Sequence, residues 1–324
     1  MTLFENTFRL KSPGFHNHFQ LWDGGILRCL MSPRTGNWQQ DGDTLHVSLP
    51  ESFDLVLKKR DEMLWTDSTS YLYKQIPVMH KIKRLRELVP DRIPDGLKIR
   101  HYSFFMDNIS EDAREAQRNV FNYFDLEIEQ VRFTDIHAKA IDRILDERTD
   151  VDIAVLWDID AIPLKRGAID SMIAAAARGA VAGVAHCAGH YPHGYIFAGP
   201  ECLCVNRTLW QSLGAPSALP TWRSDVMAEL SWAADYSGID VFTLPVTQVE
   251  DQYWRMPDGS WFGRGAEYGD GQIYHAFCSR SDVARFITRC DRVLSDATTA
   301  SATTPASGRP WTSCTTLGGS ATSG

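Results

Sequence analysis

No run of about 18 apolar residues occurs in this 324-residue chain, so the sequence offers no segment for a membrane-spanning helix. The opening MTLFENTFRLKSPG lacks a basic start followed by an apolar stretch, and no secretory signal is read there. Base is in deficit: 33 Lys+Arg stand against 41 Asp+Glu, and the formal charge of -8 argues against nucleic acid as the main partner. Cysteine is scattered and odd in number, seven in all, with no C-x-x-C pair. A reduced, cytoplasmic chain is therefore expected. No internal repeat shows at periods of 20–50 residues. What is present is an ordinary globular composition, 44% hydrophobic and 23% charged, with enough length for two domains or for one large domain with an appendage.

Three regions are expected. Residues 1–95 are expected to form a small β-rich N-terminal region with a basic helical segment: residues 1–60 are turn-rich, HFQLWDGGILRCLM carries a hairpin signal at Asp23-Gly24-Gly25, and Gly42-Asp43 precedes the strand candidate TLHVSLP. Within that region, residues 61–95 read as helical and basic around KIKRLREL, closed by Pro90 and Pro94; the basic run is taken as a solvated helix face. From Leu97 strands and helices alternate. KIRHYSFFM is a buried strand, Ser110 caps a helix with Ala113, Ala116, Val120, Phe121 and Phe124 on one face, and LEIEQVRF is a strand. A helix over His137 to Leu145, the strand DIAVLW, the helix IDSMIAAAAR stopped by Gly179, and the strand AVAGVA follow. YIFAG and CLCVN suggest an antiparallel excursion. Such alternation implies an α/β fold with a largely parallel sheet and helices on both faces, over residues 96–295. Of the last 29 residues, from Asp296, 24 are Ser, Thr, Ala, Gly or Pro, which predicts a disordered tail over 296–324.

Asp158-Ile159-Asp160 directly follows the apolar strand DIAVLW. Strand C-termini line the crevice where open α/β sheets bind ligands. Two carboxylates one residue apart repel unless a cation lies between them, and a hard divalent ion takes oxygen ligands. The competing reading is a solvated loop after a core strand. His275, in QIYHAF, is a core or surface histidine unless the fold brings it to these carboxylates. Asp225 sits in RSDVMAEL, where Ser224 can cap a helix running to Tyr236; the acid then either favours the helix dipole or serves as a general base toward an acceptor hydroxyl. Residues 251–271, DQYWRMPDGSWFGRGAEYGDG, read as a long binding loop. There Arg264 can reach a phosphate, and Trp254 and Trp261 can stack on a sugar or base; the alternative is a surface loop anchored by buried aromatics. His186, Cys187, His190, His193, Cys202 and Cys204 match no zinc spacing and read as core cysteines and loop histidines.

In this order the residues resemble a nucleotide-sugar glycosyltransferase of the GT-A fold, over about residues 97–290. Asp158-Ile-Asp160 looks like that family's D-x-D, which holds Mn²⁺ or Mg²⁺ against the donor diphosphate. SDVMAELSWAADYSGIDVFTLP is similar to its acidic helix, and IYHAF to the closing segment whose histidine, here His275, completes the metal shell. The resemblance implies a Rossmann-like mixed sheet and transfer of a sugar from a nucleotide-diphosphate donor to a hydroxyl acceptor, with Asp225 as base if the transfer inverts. It leaves residues 1–95 outside the family pattern. Two other classes fit parts of the sequence. One is a haloacid-dehalogenase-like phosphatase using the Asp-x-Asp as its nucleophile motif; the other is a non-enzymatic carbohydrate-binding protein using the tryptophans.

Overall fold

A computed structural model describes residues 6–12, 15–22, 25–29, 34–50, 53–59, 64–66, 72–75, 93–187, 196–221, 224–255, 261–277 and 282–302. The N-terminal region is a closed antiparallel barrel of eight strands: β1 (Asn6–Ser12), β2 (Phe15–Trp22), β3 (Ile26–Cys29), β4 (Thr35–Asp41), β5 (Thr44–Leu49), β6 (Phe53–Lys59), β7 (Leu64–Thr66) and β8 (Leu72–Gln75). Each strand pairs with the next, and β1 closes on β8. Alternation drives it: in β5, Leu45, Val47 and Leu49 point inward and join Leu21, Leu27 and Leu57 in a small core. Asp41 pairs with Thr44 across the two-residue turn Gly42-Asp43, where Gly42 takes φ 56°, the left-handed conformation such a tight hairpin needs. The helical expectation for residues 61–95 is corrected, since β7 and β8 occupy part of it; KIKRLREL lies outside the described residues.

The second region is the expected α/β layer. Its sheet has the order β10-β9-β11-β14-β13-β15, built from β9 (Ile99–Phe105), β10 (Ile128–Arg132), β11 (Ile153–Asp158), β13 (Val181–Cys187), β14 (Ile196–Asn206) and β15 (Val241–Leu244). Five of these strands run parallel, and β14 runs antiparallel to both β11 and β13. IFAG and CLCVN are thus parts of one continuous strand rather than two. Period-two alternation divides each strand between two cores: Val155, Trp157, Cys202 and Cys204 face one, and Ala154, Leu156, Leu203 and Val205 the other. Helices α1 (Glu111–Tyr123) and α3 (Asp170–Ala177) cover the first face, while α2 (His137–Glu147), α4 (Arg207–Ser212) and α5 (Ala228–Tyr236) cover the second. Ser110 Oγ caps α1 by accepting from Ala113 N at 3.2 Å, with Glu111 and Asp112 in the first turn.

A four-stranded antiparallel sheet, β12-β18-β17-β16, stands beside this layer: β12 (Ala161–Pro163), β16 (Val246–Arg255), β17 (Trp261–Tyr268) and β18 (Ile273–Ala276). The expected loop at 251–271 is therefore mostly a strand pair. Its glycines serve close packing: a Cβ on Gly263 would lie 2.1 Å from Glu250 O, and one on Gly265 would lie 2.6 Å from the Tyr274 hydroxyl. Helix α6 (Val283–Ala302) buries Phe286 and Cys290 and continues past Asp296 into the segment whose composition predicts disorder; residues 303–324 lie outside the described set. Among the described residues, no helix is long and apolar enough to cross a membrane.

Candidate metal centre

β11 ends at Asp158, the chain turns, and β12 begins at Ala161. A buried amide fixes that turn. Gln117 Nε2, from α1, donates to Asp158 O at 2.9 Å and to Ala161 O at 3.0 Å. Its Oε1 accepts from Ser103 Oγ at 2.8 Å and from Gln130 Nε2 at 3.0 Å. With all its polar atoms used, the amide acts as a strut between α1, β9 and the carboxylate turn. Beneath it, Trp157 Nε1 donates to His101 Nδ1 at 3.2 Å, and burial lowers the His101 pKa to about 4, so this imidazole stays neutral.

β12 pairs with β18 so that Ala161 stands opposite His275, and Ala276 N donates to Asp160 O at 2.9 Å. This pairing brings a histidine from far along the chain onto the carboxylates. His275 Nε2 lies 3.2 Å from Asp160 Oδ1 and 3.4 Å from Asp158 Oδ2. One ligand atom from each of the three residues lies within 4.8 Å of the other two. Two ligands at about 2.0–2.3 Å from one ion sit roughly 3 Å apart when adjacent in its shell, so the spacing suits a shared cation. Two carboxylates and one imidazole form a mixed oxygen and nitrogen donor set of the kind that holds metal ions.

The electrostatics agree with a cation-seeking site. Burial pushes the Asp158 pKa up; His137 and His275 oppose the rise, and the Asp160 and Glu201 charges add to it. Burial disfavours the His275 imidazolium, but the charge and hydrogen bond of Asp160, then Asp158 and Glu201, outweigh that and raise its pKa to about 9. The protonated ring thus stands in for a cation between the acids. Asp158, Asp160 and His275 can hold a metal ion.

The remaining expected residues are placed differently. Ser224 does not cap α5. It bridges to Thr221, its hydroxyl donates to Glu229 Oε1 at 2.7 Å, and the helix starts after Met227, whose φ is 64°. Asp225 therefore lies before the helix, not in its first turn, and its charge is felt by His186. Arg264 lies over the Tyr253 ring at 4.1 Å and 3.7 Å from Asp251. Trp254 packs edge-on to Phe277 at 6.0 Å, and Phe277 meets the His275 ring at 4.0 Å. Trp261 is half-exposed at the start of β17. The Cys202 and Cys204 thiols are buried, with pKa values pushed up by burial, in keeping with core cysteines; His190 and His193 lie outside the described residues.

Two side chains at the site were missed. His137 opens α2, stacks on Phe133 at 5.7 Å, and places Nε2 3.7 Å from Asp158 Oδ1. Glu201, inside the apolar run of β14, is buried and pairs with His186 Nδ1. A glutamate amid YIFAG-PE-CLCVN was the available signal, since a buried acid requires a partner. Burial opposes charging either member, yet each favours the other's charged form: the His186 pKa rises and that of Glu201 falls.

No family model matches the chain, and no curated protein matches it. Among solved structures, the crystal structure of A197 from STIV is similar over 55% of this chain and 94% of that one, at 14% identity and a TM-score of 0.34. A likeness of that size carries no argument about fold or activity.

Proposed function

We propose that the protein is a metal-dependent glycosyltransferase of GT-A type, which moves a sugar from a nucleotide-diphosphate donor to a hydroxyl acceptor. One observation carries this reading: Asp158 ends a sheet strand, Asp160 lies in the turn after it, and both meet His275, a residue from the far end of the same domain, with ligand atoms converging. A divalent ion bound there supplies positive charge to the diphosphate leaving group. Gln117 holds the carboxylate turn still, so both acids present their oxygens without reorganisation. Asp225 takes the proton from the incoming hydroxyl as the acceptor bond forms. Trp254, Trp261 and Arg264 are assigned to donor contacts on the β16–β17 side. The phosphatase alternative needs Asp158 free to attack phosphorus, and the His275 pairing disfavours that role.

The test is a thermal-shift and product-release panel of UDP- and GDP-sugars with and without Mn²⁺. The reading requires Mn²⁺-dependent binding of a nucleoside diphosphate, lost in Asp160→Ala. It further requires Asp225→Asn to lower kcat about 10²–10⁴-fold with donor binding intact. An aspartyl-phosphate trapped on Asp158, or diphosphate binding indifferent to metal, would sink it.

A further inference from the structure

β14 breaks register with β13: Gly183 pairs with Leu203, but Val184 pairs with Gly199. Pro200, Glu201 and Cys202 are extra residues on that side, while toward β11 the ladder runs on to Trp157↔Cys202. Glu201 thus stands one residue beyond the last pair, as Asp158 does on β11, and the bulge sets a carboxylate beside the metal-binding strand end. The Glu201 side chain is 3% exposed, with Oε1 on His186 Nδ1. Its Oε2 is buried and has no hydrogen-bond partner among the described residues. Gly199 keeps room for that oxygen: a Cβ there would lie 2.1 Å from Oε2 and 2.6 Å from His186 Cβ. His275 shows the complementary deficit. Its Nε2 faces the two aspartates, while Nδ1 is buried and unpartnered among the described residues. Glu201 and His275 lie in each other's field.

An imidazole that gives its Nε2 lone pair to a metal must carry its proton on Nδ1, and metal-bound histidines almost always donate that proton to a carboxylate, carbonyl or water. We propose that Glu201, anchored by His186, is a positioning residue of the metal centre: its Oε2 accepts the Nδ1 proton of His275, directly or across one water, and so fixes the tautomer and ring orientation that present Nε2 to the ion. The inference rests on the metal reading of Asp158, Asp160 and His275. The Tyr268 hydroxyl is buried and unpartnered among the described residues, lies in the same field, and is the rival acceptor.

Calorimetry with Mn²⁺ alone on the full chain, well below each variant's melting temperature, tests it. Glu201→Gln and Glu201→Ala are expected to weaken Mn²⁺ binding about ten- to a hundredfold. Leu203→Ala, on the same strand but facing the opposite core, is expected to lower the melting temperature without moving Kd. An unchanged Kd in the Glu201 variants overturns the proposal, as does an equal loss in Leu203→Ala, or a loss in Tyr268→Phe that matches the Glu201 variants. Should neither Glu201 variant fold, proton–nitrogen correlation spectra of the histidine rings in Mg²⁺-loaded wild type decide. A slowly exchanging proton on His275 Nδ1 supports the inference, and a proton-free Nδ1 overturns it. Absence of Mn²⁺ binding by wild type is a distinct failure, which removes the metal reading and this inference together.

Discussion

The pKa values of His101 and His275 shift in opposite directions because one is buried among rings and the other among carboxylates. His101 meets Phe121 edge-on at 6.0 Å and accepts from the Trp157 indole, so nothing near it rewards a positive charge. Its pKa falls from 6.5 to about 4 through burial. The sign follows directly. Below pH 6.5 the unfolded chain takes up a proton that the folded chain refuses, so the stability this group contributes is present above 6.5 and lost as the pH falls toward 4. The loss amounts to roughly 3 kcal/mol at one pKa unit per 1.36 kcal/mol. Urea denaturation at pH 7.5 and 4.5 should show wild type weakened at the lower pH by an amount that His101→Gln largely removes. An equal acid sensitivity in the variant would place the effect on other groups.

At the scale of elements, α6 offers a direct measure of how the last helix holds the α/β layer. Phe286 is fully buried against the core shared by α1, β11 and β17, so Phe286→Ala should cost about 3–5 kcal/mol in denaturant unfolding. A cost below about 1 kcal/mol would mean that α6 is peripheral. Much of this architecture was legible in the sequence. The Ser110 cap, the α1 face, the apolar strand ahead of Asp158 and the stop at Gly179 all follow from local rules and reappear in the structure. Where local rules failed, a longer-range contact had taken the group. Ser224 could cap a helix, but Glu229 claims its hydroxyl. The Gly-rich stretch over 251–271 resembles a loop, yet its glycines let β16 and β17 approach. Composition alone cannot see that close approach, since the partner lies in another strand. At the site, Asp158, Asp160 and His275 were readable as residue types in order, and their meeting depends on the β12–β18 pairing. His137 and Glu201 were not readable as site residues, because His137 meets Asp158 from the start of α2 and Glu201 comes beside it through the β11–β14 register, both contacts of the assembled fold.

At the scale of the whole molecule, the centre ties segments that are distant in sequence: the β11–β12 turn and β18 near the end of the domain. An ion that binds this arrangement and not the unfolded chain must stabilise the fold by mass action, about 2.7 kcal/mol at 100 times its Kd. For a domain of roughly 200 residues each kcal/mol moves the melting temperature by about 2–4 °C, so saturating Mn²⁺ should raise it by about 5–10 °C. A chelator should reverse the rise. Asp160→Ala separates this linkage from general salt effects. Without metal the variant loses one of two mutually repelling buried acids together with one partner of His275, so its own melting temperature is expected to change modestly. With metal the upward shift should vanish, because two ligands remain where three converged. The β1–β8 barrel contributes no residue to the cluster. A metal-induced shift retained in Asp160→Ala would show that the ion binds elsewhere.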